Sequence, residues 1–232
     1  GESTPVSPDR LVADGWYRLG GHQWQALTFV SPDGWLPMPG HGHEDLGSFE
    51  LHDGKRPIIV DPGRGSYNDT EYATAQMHNY LTIDDVGPAA VNRPYYSADY
   101  RSRVIGVAPS MSRTRAGGIL ITAGFGGLRG VGTAVREWRF FEDRLEIIDR
   151  VEGRGKHRIR RRFHTTADSC DAGIGANLKF EGAEYNLSSD CQPTVIESAN
   201  FTDYGRDQPG HQIMFDQTVS LPFESKTVIA RL

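Results

Sequence analysis

Two histidines that flank a single glycine form the most informative group in the sequence. His41 and His43 lie in the run Pro-Gly-His-Gly-His-Glu-Asp at residues 39–45. Side chains two residues apart on an extended backbone point to the same side, so both imidazoles can face one cavity. Imidazole suits zinc and other transition metals, but two histidines rarely complete such a site. Further ligands are therefore expected elsewhere in the sequence.

A carboxylate and a third histidine are the best candidates for those ligands. Asp61 ends the apolar run Ile-Ile-Val at residues 58–60, and His78 lies just before the next apolar segment. Two histidines, one carboxylate and one open position would make a zinc site. Structural interpretations stay open as well. His-Gly-His suits a surface loop, an aspartate before Pro-Gly suits a turn, and a histidine before a strand can be a hydrogen-bonded core or edge residue.

A predicted β-hairpin brings these residues to the same level. Residues 48–52 and 56–61 alternate or run apolar, and Asp53-Gly54 between them readily takes positive backbone dihedral angles. The first strand begins just after His43 and the second ends at Asp61. The hairpin therefore carries both side chains to one end of a sheet.

The rest of the chain also predicts short strands. Residues 16–19 and 24–30 suit half-buried strands with Gly20-Gly21 as a hairpin turn, and residues 141–144 suit a second turn. Further candidate strands are residues 80–83, 102–107, 118–123, 135–140, 144–150, 159–165, 194–197, 212–219 and 227–232. Residues 171–189, rich in Gly, Ala, Asn and Ser, indicate a long excursion instead.

This pattern predicts an all-β fold, a large antiparallel β-sandwich formed as a single domain over residues 11–232. Residues 1–10 are polar and rich in turn formers, and are interpreted as a linker or flexible N-terminus. The 27 glycines and 13 prolines agree with many short elements joined by tight turns.

Charge and composition exclude several classes of protein. A net charge of -5 argues against nucleic acid as a partner, since binding phosphates needs concentrated positive charge. The basic run at residues 157–162 suits either an acidic ligand or the solvent face of a strand. No stretch of about 18 apolar residues exists, so no membrane span is expected. Cys170 and Cys191 allow one disulfide bridge at most.

The N-terminal residues Gly-Glu-Ser-Thr-Pro lack the basic and apolar regions of a signal peptide. Any export signal has therefore been removed or lies outside this chain.

Three segments resemble a known family. The runs at residues 40–51, 56–63 and 78–79 are similar, in order and spacing, to the signature of heparinase II/III-like proteins. Later segments, at residues 157–164, 204–205 and 220–222 and at Thr227, also resemble that family's sandwich. The resemblance implies a sandwich that packs against an N-terminal α/α toroid, which this chain lacks, with the substrate in the cleft between them. It also implies a secreted or periplasmic protein.

The resemblance implies a role for each residue of the motif. His43, Asp61 and His78 would bind Zn2+, and His41 would be the catalytic residue that neutralises a uronate carboxylate or assists proton transfer. The reaction would be β-elimination in an acidic polysaccharide. A base removes the proton next to the carboxylate and an acid protonates the leaving oxygen.

In the family, the toroid supplies the tyrosine acid or base. Of the tyrosines near the motif, Tyr67 and Tyr72 are candidate substrate-binding residues together with Glu44; Tyr95 and Tyr96 also lie close in sequence. Packing is the alternative role for each tyrosine. Many family members carry alanine where this chain has Glu44, and residues 62–77 depart from the expected basic, aromatic run, which leaves the identity of the polysaccharide open.

Two other functions remain compatible with the sequence. One is a non-catalytic module that binds acidic glycans, or has a structural role, with loops ordered by zinc. The other is a metallohydrolase that uses a zinc-bound water. Glu44 would be its general base.

Overall fold

The computed structural model describes residues 8–30, 43–65, 71–88, 109–115, 117–203 and 206–232. Within them the chain is almost entirely antiparallel β-structure, which confirms the predicted fold class. His41, Tyr67, Tyr95, Tyr96 and the strand predicted at residues 102–107 lie outside the described residues.

The described ranges contain one α-helix, two short 3-10 helices and sixteen strands. The helices are α1 (Pro8–Ala13) and the 3-10 turns Glu71–Ala73 and Ala75–Met77. The strands are β1 (Trp16–Gly21), β2 (Trp24–Phe29), β3 (Phe49–Asp53), β4 (Arg56–Ile59), β5 (Leu81–Ile83), β6 (Ser110–Arg113), β7 (Ile119–Gly124), β8 (Val131–Phe140), β9 (Arg144–Gly153), β10 (Lys156–Thr165), β11 (Ser169–Ala172), β12 (Ala176–Phe180), β13 (Ala183–Ser188), β14 (Pro193–Asp203), β15 (Arg206–Ser220) and β16 (Phe223–Arg231).

The strands form three sheets. Their orders are β1-β2-β3-β4, β14-β15-β10-β5 and β11-β12-β13-β16-β9-β8-β7-β6. The two four-stranded sheets adjoin where Val60 N–H, just after β4, donates to the carbonyl of His164 in β10 at 2.9 Å. Asp61 follows this junction directly.

All three sheets contribute to one buried cluster. Leu51 comes from the first sheet, Phe163 from the second and Trp138 from the third, and each is fully buried. Period-two alternation explains this, because every second residue of a strand points toward the facing sheet. The core therefore lies between the sheets.

The first hairpin forms as predicted, with its turn two residues later. β1 continues through Gly20 and Gly21, and the reversal is made by His22, at φ 56°, and Gln23. The turns of the other two predicted hairpins lie where expected, and Gly54 has a φ of 59°. A histidine with a positive φ, such as His22, is uncommon. For this reason the sequence predicted the turn at Gly20 and Gly21 instead.

The long excursion predicted at residues 171–189 is wrong. This segment forms the second half of β11 together with β12 and β13, with Gly182 at a φ of 74° in the turn. Leu178, Tyr185 and Leu187 are fully buried on one face. Small and polar residues at the alternate positions hide the apolar alternation when composition alone is considered.

The N-terminal helix crosses the boundary predicted between residues 10 and 11. Leu11 and Val12 of α1 are exposed. No helix among the described residues is long and apolar enough to cross a membrane. Cys170 and Cys191 are both free thiols, partly buried against the main core.

The basic run of β10 divides between surface and interior. Arg158 and Arg160 both pair with Asp216. Arg161 is fully buried and bonds to Asp190. The solvent-face interpretation therefore holds for only part of the run.

Candidate functional site

The three predicted metal ligands meet at one end of the first sheet. Asp61 Oδ2 accepts a hydrogen bond from Nδ1 of His78 at 2.8 Å. The ring centroids of His43 and His78 lie 5.3 Å apart. The structure therefore brings together residues that are up to 35 positions apart in the chain, by their numbers.

Asn79 fixes the position of His78. Its backbone N–H donates to Ser48 Oγ at 3.0 Å, and its Nδ2 donates to the carbonyls of Phe49 at 2.9 Å and Val60 at 2.8 Å. Its Oδ1 accepts from His164, from the backbone N–H at 2.7 Å and from Nδ1 at 3.2 Å. This one side chain joins the ends of β3 and β4 to β10.

A second buried group holds the same segment from the opposite side. Arg136 Nη1 donates to the Asn79 carbonyl at 2.8 Å, and its Nε and Nη2 bond to Asp149 at 2.7 and 2.9 Å. Its guanidinium also lies over the Tyr80 ring, 4.6 Å from the centroid. The backbone that carries His78 is thus anchored in the core.

A cavity of about 260 Å³ opens beside these residues. One part of its lining is polar and includes the three predicted ligands, and the other part is aromatic and aliphatic. The lining residues are Trp16, Leu27, Phe29, His43, Asp45, Ser48, Phe49, Glu50, Asp61 and His78. Its volume approaches the lower end of typical small-ligand sites, about 300 Å³.

His43, Asp61 and His78 lie close enough together to shift one another's pKa. Burial would raise the pKa of Asp61, but the charge and hydrogen bond of His78 outweigh burial and lower it. Burial would lower the pKa of His78, and Asp61 reverses that effect and raises it. Burial, followed by the charge of His78, lowers the pKa of His43 to about 4. His43 is therefore neutral at pH 7 and keeps a lone pair for a ligand.

Two buried atoms at the cavity lack hydrogen-bond partners. They are Nε2 of His78 and Oδ1 of Asp45. Buried polar atoms without a partner are rare and often mark the position of an ion or ordered water. Burial raises the pKa of Asp45 to about 6, which reflects the same shortage of stabilising partners.

The donor set fits a zinc ion, although it is not preassembled. Two imidazoles and a carboxylate are typical zinc ligands, and a metal-bound histidine usually bonds to a carboxylate through its other nitrogen. The Asp61–His78 pair has that arrangement, with Nε2 left over, so Asp61 can be a ligand of the same ion only after its bond to Nδ1 is broken. No three His, Cys, Asp or Glu side chains in the described ranges stand together as a complete metal-binding group.

Asp45 and Trp16 line the cavity although the sequence indicated no site role for either of them. Asp45 was part of the motif but had no assigned role, and its buried, unpartnered oxygen is visible only in the fold. Trp16 was predicted only as part of a half-buried strand, and 39% of its surface is exposed beside the cavity. The strand register could have indicated this, because Trp16 and Leu19 lie on opposite faces of β1.

The other predicted site residues have different surroundings. Glu44 Oε2 accepts from the Ala75 backbone N–H at 2.9 Å, at the start of a 3-10 turn. The Tyr72 ring packs edge-on against Phe201, with centroids 5.0 Å apart. Neither side chain lines the cavity. Their roles in substrate binding remain predictions, as do those of His41 and Tyr67 outside the described residues.

Solved structures with similar folds include heparinases. Heparinase III has a TM-score of 0.69 at 15% identity, and the match covers 94% of this chain and 36% of that one. Heparan sulfate lyase HepC from Pedobacter heparinus has a TM-score of 0.68 at 14% identity, and the match covers 94% of this chain and 35% of that one. The chain thus spans about a third of these proteins. A 4-alpha-glucanotransferase from Thermococcus litoralis shares the fold at a TM-score of 0.51 and 10% identity, covering 94% of this chain and 37% of its own, so the fold alone does not decide the activity.

Sequence comparison is more specific. No curated protein matches the sequence significantly. The family model described as "Heparinase II/III-like, C-terminal" matches residues 4–228. This range includes the histidine motif and all of the three-sheet core except Ile229, near the end of β16. The chain therefore belongs to the heparinase II/III-like family and is a β-sandwich module of the C-terminal type.

Proposed function

We propose that this chain is the metal-binding sandwich of a lyase that cleaves an acidic, uronate-containing polysaccharide by β-elimination. The observation that carries the proposal is the meeting of His43, Asp61 and His78 at one cavity, where His78 Nε2 has no partner. The family supports the lyase class. The acidic substrate and the zinc ion are parts of the proposal.

His43, Asp61 and His78 would hold zinc, and Asp45 offers a further carboxylate beside them. When bound, zinc would supply positive charge that offsets the buried carboxylates and orders the segment at residues 43–47. Asp61 would exchange its hydrogen bond to His78 Nδ1 for a bond to the metal. His41, two residues before His43, is proposed to contact the uronate carboxylate.

The elimination needs two proton transfers. A base takes the proton next to the uronate carboxylate, electrons form the new carbon–carbon double bond, and an acid protonates the departing glycosidic oxygen. Neutralising the carboxylate stabilises the charge that develops on it. We propose that an N-terminal α/α toroid of the same protein supplies the tyrosine for these transfers. An exported protein, secreted or periplasmic, would suit such a substrate.

Metal analysis tests the ligand set. The purified chain, stripped with chelator and reloaded with zinc, is expected to hold one ion per chain by mass spectrometry. His43→Ala should lose the ion because a lone-pair donor is removed, whereas His41→Ala should keep it. Stoichiometric zinc in both variants would show that the assignment is wrong.

Product analysis tests the reaction class. Absorbance of the unsaturated uronate is followed with heparan sulfate, alginate and hyaluronate, for this chain and for a longer chain that includes the proposed toroid. Product from the longer chain supports the lyase, and product from the 232-residue chain as well would place the acid and base within it. Binding without product from either chain would favour a glycan-binding module.

The metallohydrolase has its own discriminating result. It predicts cleavage of glycosidic bonds without the unsaturated band, and loss of that activity in Glu44→Gln. The bond from Glu44 to the Ala75 N–H favours a structural role for this carboxylate. We therefore expect Glu44→Gln to leave any hydrolysis of glycosidic bonds unchanged.

A further inference from the structure

We propose that the outer face of the first hairpin is a subsite for an acidic sugar unit, in which Trp16 stacks on the ring and Arg18 pairs with its carboxylate or sulfate. This proposal rests on the proposed function. The subsite would extend the binding surface from the cavity along the first sheet. It assigns binding roles to two residues outside the histidine motif.

The strand register places the two side chains side by side. Trp16 pairs with Phe29, and Arg18 with Leu27. Leu27 in turn pairs with Glu50 of β3. Residues two apart on a strand share a face, so Trp16 and Arg18 project from the same side of β1. Trp16, Leu27, Phe29 and Glu50 all line the cavity, which shows that this is the face that continues from the candidate site.

Trp16 has the exposure expected of a binding surface. Its exposed fraction is 39%, whereas Trp24 and Trp138 are 1% and 0% exposed. The Trp16 and Phe29 rings contact each other, with centroids 5.0 Å apart and planes tilted by 46°. Phe29 is buried, so it supports one part of the indole while the remainder faces solvent. Indole combines a large apolar surface with a polar N–H, which suits partners that present both apolar and hydrated polar groups.

Arg18 provides a cation that has no acidic partner among the residues that the structure describes. Its side chain is exposed, and its Nη2 donates to Gln25 Oε1 at 3.0 Å. Within the described ranges, no carboxylate forms an ion pair with it, although most surface arginines of β8 to β10 have one. Gln25, on the same face of β2, holds one edge of the guanidinium. The free donors can bind a carboxylate or sulfate in paired fashion.

The chemistry of the face matches a sugar acid better than an apolar partner. A pyranose offers C–H groups to Trp16 and Leu27, hydroxyl groups to Glu50, and an anionic substituent to Arg18. An apolar protein surface would leave the exposed Arg18 and the polar cavity lining unsatisfied. The charge on Arg18 also selects anionic over neutral sugars.

Tryptophan fluorescence gives a direct test in this chain. A heparan sulfate tetrasaccharide is titrated, with an alginate tetrasaccharide as the carboxylate-only probe and cellotetraose as the neutral probe. Binding should shift the emission to shorter wavelength and protect it from iodide, because Trp16 becomes covered. The titration is done in a Trp35→Phe background, which removes the fourth tryptophan of the chain. The shift should then be absent in Trp16→Tyr, since Trp24 and Trp138 are already buried.

Affinities of variants, measured by calorimetry, separate the two roles. We expect Trp16→Ala and Arg18→Ala each to weaken binding of the acidic tetrasaccharides by about tenfold, and Trp16→Tyr and Arg18→Lys to retain part of the affinity. Ile196→Ala and Arg113→Ala are the matched controls, because both residues are exposed but lie on other sheets. Neither control should change the affinity.

Failure of this inference can be told apart from failure of the proposed function. Unchanged binding by Trp16→Ala and Arg18→Ala, with zinc retained, would overturn the subsite and leave the metal site intact. Equal affinity for cellotetraose would overturn the role of Arg18. If Trp16 is already protected from iodide in a longer chain without sugar, the face is a domain interface, and the subsite is overturned.

Discussion

Replacing Arg136 with methionine is expected to reduce the free energy of unfolding by about 3–5 kcal/mol. Arg136 and Asp149 are both completely buried and joined by two hydrogen bonds. Methionine fills much of the volume but leaves the Asp149 carboxylate in the core without a counter-ion. It also leaves the Asn79 carbonyl without its donor and removes the cation over the Tyr80 ring. Urea unfolding followed by circular dichroism measures the loss.

Two matched variants show whether the buried charge is the cause. Arg150→Met removes a partly exposed arginine from Glu137, which keeps its bond to Arg139 at 2.6 Å, so the loss should be about 1 kcal/mol or less. The double variant Arg136→Met with Asp149→Leu removes both charges and should recover much of the stability. A loss as large in the double variant would mean that packing, not charge, explains the effect.

The features that could be predicted from sequence are those encoded locally. Asp53-Gly54 lies between two alternating segments, and the hairpin that it predicts is present. That hairpin, together with the position of His78 before β5, is enough to bring His43, Asp61 and His78 to one end of the sheet. Local turn chemistry and period-two patterns thus account for the central part of the candidate site.

Features that depend on distant contacts could not be predicted. Asn79 appeared only as part of a family motif, yet its partners Phe49 and His164 are 30 and 85 positions away. The burial of the Asp45 oxygen depends on the strands that enclose it, so the sequence of the motif alone could not predict it. The strands within residues 171–189 depend on pairing β13 with the distant strand β16. Composition of the segment itself carries little of that information.

The arginines of β10 illustrate the same limit. Sequence alternation would place Arg161 and Arg162 on opposite faces, with only one of them exposed. Both are buried in the fold: Arg161 bonds to Asp190, and Arg162 donates to Thr82 Oγ1 at 2.8 Å. Alternation identifies the face on which each side chain lies, whereas its exposure depends on which segments cover that face.

Replacing Asn79 with alanine is expected to loosen the site as well as the fold. The change removes the donors to the carbonyls of Phe49 and Val60 and the acceptor for His164, all in a fully buried position. Each buried group left without a partner costs about 1–3 kcal/mol, so the loss of unfolding free energy should be about 3 kcal/mol or more. Asn186→Ala is the control, since Asn186 is partly exposed and, among the described residues, its side chain bonds only to Asn177, at 2.7 Å.

The zinc affinity of folded Asn79→Ala separates positioning from general stability. Asn79 joins β3, the end of β4 and β10 directly beside His78 and Asp61, so its loss should let these two side chains move apart. We expect zinc binding, measured at low temperature where the variant is folded, to weaken by about 10–100-fold. Asn186→Ala should bind zinc as the unmodified chain does. Asn79→Ala with full affinity would show that His78 and Asp61 keep their positions without Asn79.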